Sequence, residues 1–312
     1  MKLFALIALC LTLIGCSRPG PDTSTAAVSD GPQIVTIEPG DGRTILVISP
    51  HADDAALFIG GTIAAWADAG WSVVVARVTD DRWDSVGLSE AQTLINSAAE
   101  FRQAMTILGV TQAIDLGLQT DVLADTSEVA LREKIIRLIR SYKPYAIVTI
   151  DPYSGVGEDN QDHVVVAEAT AEAVWTAQFD KHHPEHLAQG LDVHGVVETW
   201  YFGRPVREIT DIVDISNTLD RKIAASLAHE TPLRNIVQQL RLQAKTAGYR
   251  VAALDTAQQG DLSPIIEGFI GDPARALGAQ YNLGAAEAFR VVRFGGLMDW
   301  LRANGEPLPE AG

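Results

Sequence analysis

One stretch near the start of the chain decides the fold, Thr44-Ile45-Leu46-Val47-Ile48-Ser49-Pro50-His51-Ala52-Asp53-Asp54. Its β-branched apolar run predicts a buried strand. A histidine and two carboxylates follow at once, and then a helical pattern over residues 54–69 that ends at Gly70. Ligands bind outside the carboxyl ends of strands in an open α/β sheet, so we expect these side chains in a crevice. His51 and Asp54 are candidates to share a divalent ion, which leaves Asp53 free.

Short apolar runs and helical patterns alternate along the next hundred residues. The predicted strands are residues 44–48, 72–78, 112–116 and 146–150. The predicted helices are residues 54–69, one capped by Ser89 and ended by Gly109, one capped by Thr126 that runs to 143, and residues 164–177. This alternation predicts an α/β fold that is Rossmann-like, with a mostly parallel sheet and helices on both faces. We expect residues 43–312 to form a single domain.

The fourth predicted strand repeats the pattern of the first, because polar residues follow it directly. Asp151 begins a loop, and Asp159-Asn160-Gln161-Asp162-His163 stands at the start of the next helix. If the first and fourth strands are neighbours, His163 faces the same crevice as His51 and Asp54. Two imidazoles and one carboxylate with an open position are the ligand set of a catalytic zinc. The alternatives are that Asp53 or Asp54 caps the helix and that His163 is a surface residue.

Charge and cysteine content narrow the function classes. The formal net charge of −16 argues against electrostatic binding to nucleic acid or to an anionic membrane surface. The two cysteines, Cys10 and Cys16, both lie at the extreme N-terminus. Cys10 lies in a segment expected to be removed and Cys16 at the site expected to be lipidated, so no thiol remains for a disulfide within the domain, a thiolate metal site or a cysteine nucleophile. Any metal ligands must therefore be His, Asp or Glu.

The N-terminus has the pattern of a bacterial lipoprotein signal. Lys2 precedes an apolar segment, residues 3–14, that is too short to be a permanent membrane span. Leu13-Ile14-Gly15-Cys16 matches a lipobox, so we expect residues 1–15 to be removed and Cys16 to be lipidated. Residues 16–42 are predicted to form a flexible tether with a span of about 30 Å. The expected location is the membrane, facing the periplasm or the cell exterior; the alternative is an ordinary signal peptide with a chance cysteine.

The motifs resemble those of the LmbE/PIG-L family of zinc-dependent N-acetylglucosaminyl deacetylases. The resemblance rests on Pro-His-x-Asp-Asp at residues 50–54, Gly60-Gly61-Thr62, and the pair Asp162-His163. It covers essentially residues 43–295 and continues through residues 184–191, 200–202, 213–215, 222, 228–230 and 285–290.

The resemblance implies a role for each matching residue. His51, Asp54 and His163 would bind one Zn²⁺ per chain, or another divalent metal in its place. Asp53 would be the general base that takes a proton from water and returns one to the leaving amine. Asp162 would orient His163 or a neighbouring group. The expected activity is removal of acetyl from an N-acetylated amino sugar or related amide, a small-molecule or glycan substrate, outside the cytoplasm.

Some positions depart from the family pattern. Ala52 stands where a proline is usual, and Ala55 replaces a supporting glutamate. Asn160 stands where a second histidine usually polarises the oxyanion, in a region with an insertion after Gly157. Asparagine donates a hydrogen bond but carries no proton, so weaker stabilisation is expected from this candidate catalytic residue. Ser97 occupies the place of a substrate-contacting arginine.

For several other conspicuous residues, a structural role is preferred to a role in binding metal or substrate. His182, His183 and His186 match a block of the family without metal ligands, and a surface or packing role is expected. His229 lies on a predicted helix, where a structural histidine is the default. Asp80 and Asp81 follow the second strand and either contact sugar hydroxyls or cap a loop; Trp83 is a weak candidate for stacking.

Two hypotheses from different classes therefore stand. The first is a tethered zinc amidohydrolase. The second is a non-catalytic glycan-binding lipoprotein that retains the metal, as the changes at Ala55, Asn160 and Ser97 suggest. Retention of Asp53 favours the enzyme, since a structural zinc needs no adjacent free carboxylate. A nucleotide-binding Rossmann protein is less consistent with the sequence, because no Gly-x-Gly-x-x-Gly turn follows the first strand.

Overall fold

The computed structural model describes residues 31–154, 157–204, 206–293 and 295–306, and within them a mixed eight-stranded sheet carries helices on both faces. The strands are β1 (Gln33–Val35), β2 (Thr44–Ser49), β3 (Ser72–Thr79), β4 (Gln112–Leu118), β5 (Ala146–Ile150), β6 (Glu198–Phe202), β7 (Asp211–Asp214) and β8 (Ala286–Arg293). Their order across the sheet is β1-β7-β8-β6-β5-β2-β3-β4. All pairings are parallel except those of β8, which runs antiparallel to both β6 and β7. The predicted α/β, Rossmann-like fold class is confirmed.

The helices follow the strands in the predicted alternation. They are α1 (Asp54–Asp68), α2 (Glu90–Leu108), α3 (Glu128–Tyr142), α4 (Gln161–Thr176), α5 (Pro184–Ala188), α6 (Leu219–Leu227), α7 (Glu230–Thr246), α8 (Ala252–Gln258), α9 (Ser263–Ile266), α10 (Asp272–Gln280) and α11 (Gly295–Asn304). Ser89 caps α2 through a capping box with Gln92, and Gly109 ends the helix in the left-handed conformation. The predicted cap of α3 at Thr126 is wrong by one residue, since the helix follows Ser127.

Alternate side chains of β2 pack on opposite sides of the sheet, as its two-residue period requires. Ile45 and Val47 contact the core formed with α1 and α2. Leu46 and Ile48 belong to the opposite core, formed with α3 and α4. The strand is therefore apolar on both faces because helices cover both.

The helices after residue 229 form a third, smaller apolar cluster. Leu233 and Val237 of α7 pack there against Leu254 of α8 and against Ile265 and Ile266 of α9. A π-helical turn, Glu267–Gly271, joins α9 to α10.

The N-terminal region differs in part from the prediction. Residues 1–30, with the predicted signal segment and Cys16, lie outside the described residues. The predicted tether of residues 16–42 overlaps β1, Gln33–Val35, and these three residues are held in the sheet by pairing with β7. Among the described residues, no helix combines the length and apolar character needed to cross a membrane.

Helix α1 is broken in its middle, which sets the direction of its first turns. Ile59 has non-helical backbone angles, φ −130° and ψ 17°. The N–H groups of Gly61 and Thr62, just past the break, donate to the two carboxylate oxygens of Glu287 at 3.0 and 2.8 Å. A side chain of β8 thus caps the second half of α1.

Lys222 of α6 completes this junction. Its ammonium group donates to Glu287 at 2.6 Å and to the carbonyl oxygen of Phe58 at 2.9 Å, so one buried cation serves both sides of the break. The close approach of the segment between β7 and α6 needs a glycine, since a Cβ at Gly61 would lie 2.8 Å from Ile215.

Candidate functional site

The five residues that the sequence analysis selected meet at one cavity. β2 and β5 are hydrogen-bonded neighbours, so the segments that follow them emerge side by side at the carboxyl edge of the sheet. The cavity there has a volume of about 510 Å³. Its lining includes His51, Asp53, Asp54, Asn160 and His163. This placement agrees with a ligand crevice at strand ends.

Ligand atoms of three residues converge as a metal site requires. His51 Nδ1 lies 3.1 Å from His163 Nε2 and 3.3 Å from Asp54 Oδ2, and His163 Nε2 lies 3.3 Å from Asp54 Oδ1. Two ligand atoms about 2.0–2.1 Å from a tetrahedral zinc stand roughly 3.3 Å apart, so each distance suits a pair of ligands of one ion. All three residues are buried. The donor set therefore fits a zinc ion with a position left open.

Protonation supports the same arrangement. Burial alone would lower the pKa of His163, but the carboxylates of Asp54 and Glu158 raise it to about 9. The pKa of His51 is also raised, because Asp162 and Asp54 outweigh the effect of burial. The pKa of Asp54 is lowered, since the two histidines outweigh its burial. Without a metal this cluster holds protons on the imidazoles, where a cation would otherwise bind.

Each histidine has its own outer carboxylate. His163 Nδ1 lies 2.9 Å from Glu158 Oε2, and the Glu158 side chain is almost fully buried. Asp162 Oδ2 lies 3.5 Å from His51 Nε2 and accepts the backbone N–H of Asp121 at 2.7 Å. Carboxylates in such positions fix the ring orientation of a metal-ligating histidine.

Asp162 and Glu158 change which carboxylate is assigned to which ligand histidine. Asp162, expected to orient His163 or a neighbouring group, faces His51. Glu158, which the sequence analysis missed, orients His163. The sequence feature that could have indicated this role is an acidic residue five positions before His163. It was overlooked because the segment after Gly157 departs from the family pattern.

Asp53 behaves differently from its neighbour Asp54. It occupies the N-cap position of α1, yet its side chain makes no capping hydrogen bond, so the capping alternative has no structural support. Burial, together with the charges of Asp54 and Asp81, raises its pKa to about 8. A carboxyl group with a pKa near neutrality, beside an open metal position, is suited to accept and return a proton.

Asn160 stands on the opposite side of the site as the N-cap of α4. Its Oδ1 accepts the backbone N–H of Asp162 at 2.9 Å. The cap fixes the orientation of the amide, and the amide nitrogen is then the donor this residue can offer to a substrate. The structure thus places Asn160 at the cavity with no titratable group of its own.

Ser97, where the family resemblance led us to expect an arginine, is held in a buried polar network below the site. Arg77 of β3 donates to Ser97 Oγ at 2.7 Å, and Ser97 donates to Asp81 Oδ2 at 2.8 Å. Asp81 also accepts the backbone N–H of Ala52 at 3.1 Å, which steadies the loop between His51 and Asp53. Burial raises the pKa of Asp81 despite nearby His51 and Arg77. Asp84, also at the cavity, has a pKa raised to about 7 by burial and by Asp81.

Several other candidates lie away from the cavity lining. Asp80 pairs with Arg82 at 2.6 Å. His186 is buried and contacts Glu133 at 2.7 Å, which agrees with a packing role for its tract. Trp83 donates to Glu90 at 3.1 Å.

His229, just before α7, is fully buried, and neither of its ring nitrogens has a hydrogen-bond partner in the described part of the chain. Burial lowers its pKa to about 3, so the ring is neutral.

Comparisons with known proteins find relatives of the part of the chain that carries this site. The family profile described as PIG-L, GlcNAc-PI de-N-acetylase, matches residues 46–174. Diacetylchitobiose deacetylase of Thermococcus kodakarensis is 30% identical over 204 residues, covering 64% of this chain and 74% of that protein. A 1D-myo-inositol 2-acetamido-2-deoxy-alpha-D-glucopyranoside deacetylase of Mycobacterium sp. is 26% identical over 231 residues, covering 61% and 74%.

Solved structures show the same fold. The N,N'-diacetylchitobiose deacetylase from Pyrococcus horikoshii has a TM-score of 0.65 at 20% identity, over 83% of this chain and 86% of that one.

Proposed function

The chain belongs to the PIG-L (LmbE-like) family of deacetylases, and from that membership we propose a zinc-dependent hydrolase that removes acetyl from an N-acetylated amino sugar or related amide. The observation that carries the proposal is the convergence of His51, Asp54 and His163 at 3.1–3.3 Å beside an uncapped Asp53. The named substrates of the relatives are N-acetylated amino sugars, which supports this substrate class.

The residues of the cavity suit amide hydrolysis. A zinc ion held by the three ligands would polarise the amide carbonyl and lower the pKa of water to about 7. Asp53 accepts a proton from the attacking water, and the oxygen forms a bond to the acyl carbon. The carbon–nitrogen bond then breaks, and Asp53 returns the proton to the leaving amine. Asn160 donates a hydrogen bond to the carbonyl oxygen as negative charge develops there.

A metal-retaining glycan-binding protein is the second candidate, favoured by the changes at Ala55, Ser97 and Asn160. The Ser97 hydroxyl is engaged with Arg77 and Asp81, which gives this position a structural role. The position of Asp53 supports the enzyme instead, because a binding protein gains nothing from a buried carboxyl group beside an open metal position.

The deciding experiment combines metal analysis with a screen for released acetate. The purified domain should contain about one zinc per chain and release acetate from at least one N-acetylated amino sugar. The Asp53→Asn variant is the matched control, since it keeps the metal ligands. A zinc-loaded wild type that cleaves no N-acetylated amide would favour the binding protein.

We also propose that the protein is a lipoprotein anchored through Cys16 and facing the periplasm or the cell exterior. The support is the lipobox at residues 13–16. Because stable anchoring requires the acyl chains, Cys16→Ser should move the protein to the soluble fraction with its fold intact. Retention of that variant in membranes after a high-salt wash would contradict the anchor.

A further inference from the structure

The end of α7 and the turn that follows it form a small basic surface on an acidic protein. This surface, called the α7 patch, consists of Arg241, Leu242, Lys245, Tyr249, Arg250 and Val251. These residues line a groove of about 400 Å³ that shares none of its described lining residues with the cavity at the metal site. The formal net charge of −16 argues against attraction of the whole chain to an anionic surface. The α7 patch has the opposite local charge.

Two of the three cations in the α7 patch lack an anionic partner in the described part of the chain. Arg250 pairs with Asp255, with 2.8 Å between Nε and Oδ2. Arg241 and Lys245 make neither an ion pair nor a side-chain hydrogen bond there. They stand four residues apart, a spacing at which like charges repel on one face of a helix. The helix dipole favours Lys245 in the last turn but does not extend to Arg241, so it does not account for the pair.

The turn after α7 is fixed by backbone hydrogen bonds. Gly248 has the left-handed conformation, with φ 80°. Its N–H donates to the carbonyl oxygen of Lys245 at 3.2 Å, and the N–H of Tyr249 donates to the carbonyl oxygen of Ala244 at 2.8 Å. This pair of bonds is a Schellman motif, which closes a helix in a defined geometry. The backbone of Tyr249 is therefore held in a fixed position at the end of α7.

Large apolar side chains are exposed in the α7 patch beside the cations. Leu242 is 54% exposed, Tyr249 73% and Val251 43%. Exposed apolar residues next to Arg and Lys are typical of surfaces that lie at a bilayer interface, and tyrosine is enriched at that depth. A stable protein–protein interface uses about 20–30 residues on each side, so a patch of six residues suits a folded protein partner less well.

We propose that the α7 patch binds the surface of a bilayer that contains anionic phospholipids. Arg241 and Lys245 contact the lipid phosphates, and the three apolar side chains lie at the boundary between headgroups and acyl chains. The inference is independent of the proposed hydrolase function, because such binding requires no turnover. The proposed anchor at Cys16 would supply the bilayer, and the α7 patch would set how the domain lies on it.

Binding to vesicles tests the proposal without the anchor. All proteins in the test carry Cys16→Ser, so that no acyl chain holds them to a vesicle. The vesicles contain either phosphatidylcholine alone or equimolar phosphatidylcholine and phosphatidylglycerol, and bound protein is measured by flotation. The protein should bind only the vesicles with phosphatidylglycerol. That binding should be lost when the ionic strength rises from about 0.01 M to about 1 M, since the Debye length shrinks from about 30 Å to about 3 Å.

Variants connect the binding to the α7 patch. A basic residue near an anionic bilayer contributes roughly fivefold to binding, so Arg241→Gln and Lys245→Gln together should weaken it about 25-fold. Tyr249→Ser should weaken binding several-fold without a change of charge. Arg102→Gln is the matched control for Arg241→Gln: Arg102 is exposed on α2 and has no ion pair in the described residues. All of these positions are exposed or half-buried, and unchanged midpoints in urea unfolding would show that the fold is intact.

The possible results separate a bilayer from other anions. A loss of vesicle binding in Arg241→Gln that Arg102→Gln does not share would support the proposal. Equal binding to both kinds of vesicle, or an equal loss in these two variants, would overturn it. Calorimetric titration with inorganic phosphate gives the remaining alternative. Phosphate binding that disappears in the double variant, with no binding to either vesicle, would assign the groove to a soluble anion and overturn the proposal as well.

Discussion

Replacing Glu158 by glutamine tests whether the second ligand histidine is held in place by a carboxylate. The side chain is 1% exposed, and its Oε2 lies 2.9 Å from His163 Nδ1. Loss of such a partner typically weakens metal binding about 10- to 100-fold, or roughly 1.4–2.7 kcal/mol. Glutamine can still accept the Nδ1 proton through a neutral oxygen, so Glu158→Gln should lie near the tenfold end. Glu158→Ala, which leaves Nδ1 without this acceptor, should lie near the hundredfold end.

The assay is competition for zinc against a chromophoric chelator. It is best run near pH 9, because Glu158 also stabilises the proton that competes with the metal on His163. Asp159→Asn is the matched control: the neighbouring carboxylate is 87% exposed and pairs with Arg204. Zinc affinity of Glu158→Gln within twofold of the wild type, or an equal loss in Asp159→Asn, would refute the positioning role.

Three further predictions follow from the site and from α1. Asp53→Asn should keep zinc and the fold but lose activity about 10²- to 10⁴-fold, whereas Asp54→Asn should lose zinc; equal metal content in both would contradict their separate roles. Because zinc displaces the proton that His163 holds up to a pKa of about 9, and the pKa of His51 is raised as well, apparent zinc affinity should rise at least about tenfold per pH unit below that value, and a flat profile in chelator competition would contradict it. Gly61→Ala should destabilise the fold by about 1–3 kcal/mol in urea unfolding, since its Cβ would lie 2.8 Å from Ile215; unchanged stability would show that Ile215 moves aside freely.

Local patterns predicted the part of the fold that holds the site. Each of the apolar runs at β2 and β5 is followed directly by polar residues, so the sequence predicted that His51 and His163 would share one edge if the two strands are neighbours, and the structure pairs them. The residue pattern already assigned Asp54 to the metal and left Asp53 free, the family resemblance added the general-base role, and the structure gives the two carboxylates different surroundings.

The sequence patterns did not predict features that depend on contacts between residues far apart in the chain. Insertion of the antiparallel β8 between β6 and β7 depends on pairings between segments far apart in the chain. The break at Ile59 depends on Glu287, more than 200 residues later. Glu158 escaped notice because it lies in a loop, where no periodicity indicates which side chains turn inward.

The junction between α1 and β8 has a consequence for biosynthesis. During synthesis all three metal-ligand residues have left the ribosome once His163 has emerged. Glu287 emerges more than a hundred residues later. Until then the N–H groups past the break in α1 lack their cap, and the central place of β8 in the sheet is vacant. Domains generally fold as units during synthesis. We therefore expect the nascent chain to acquire its metal late, after β8 has joined the sheet.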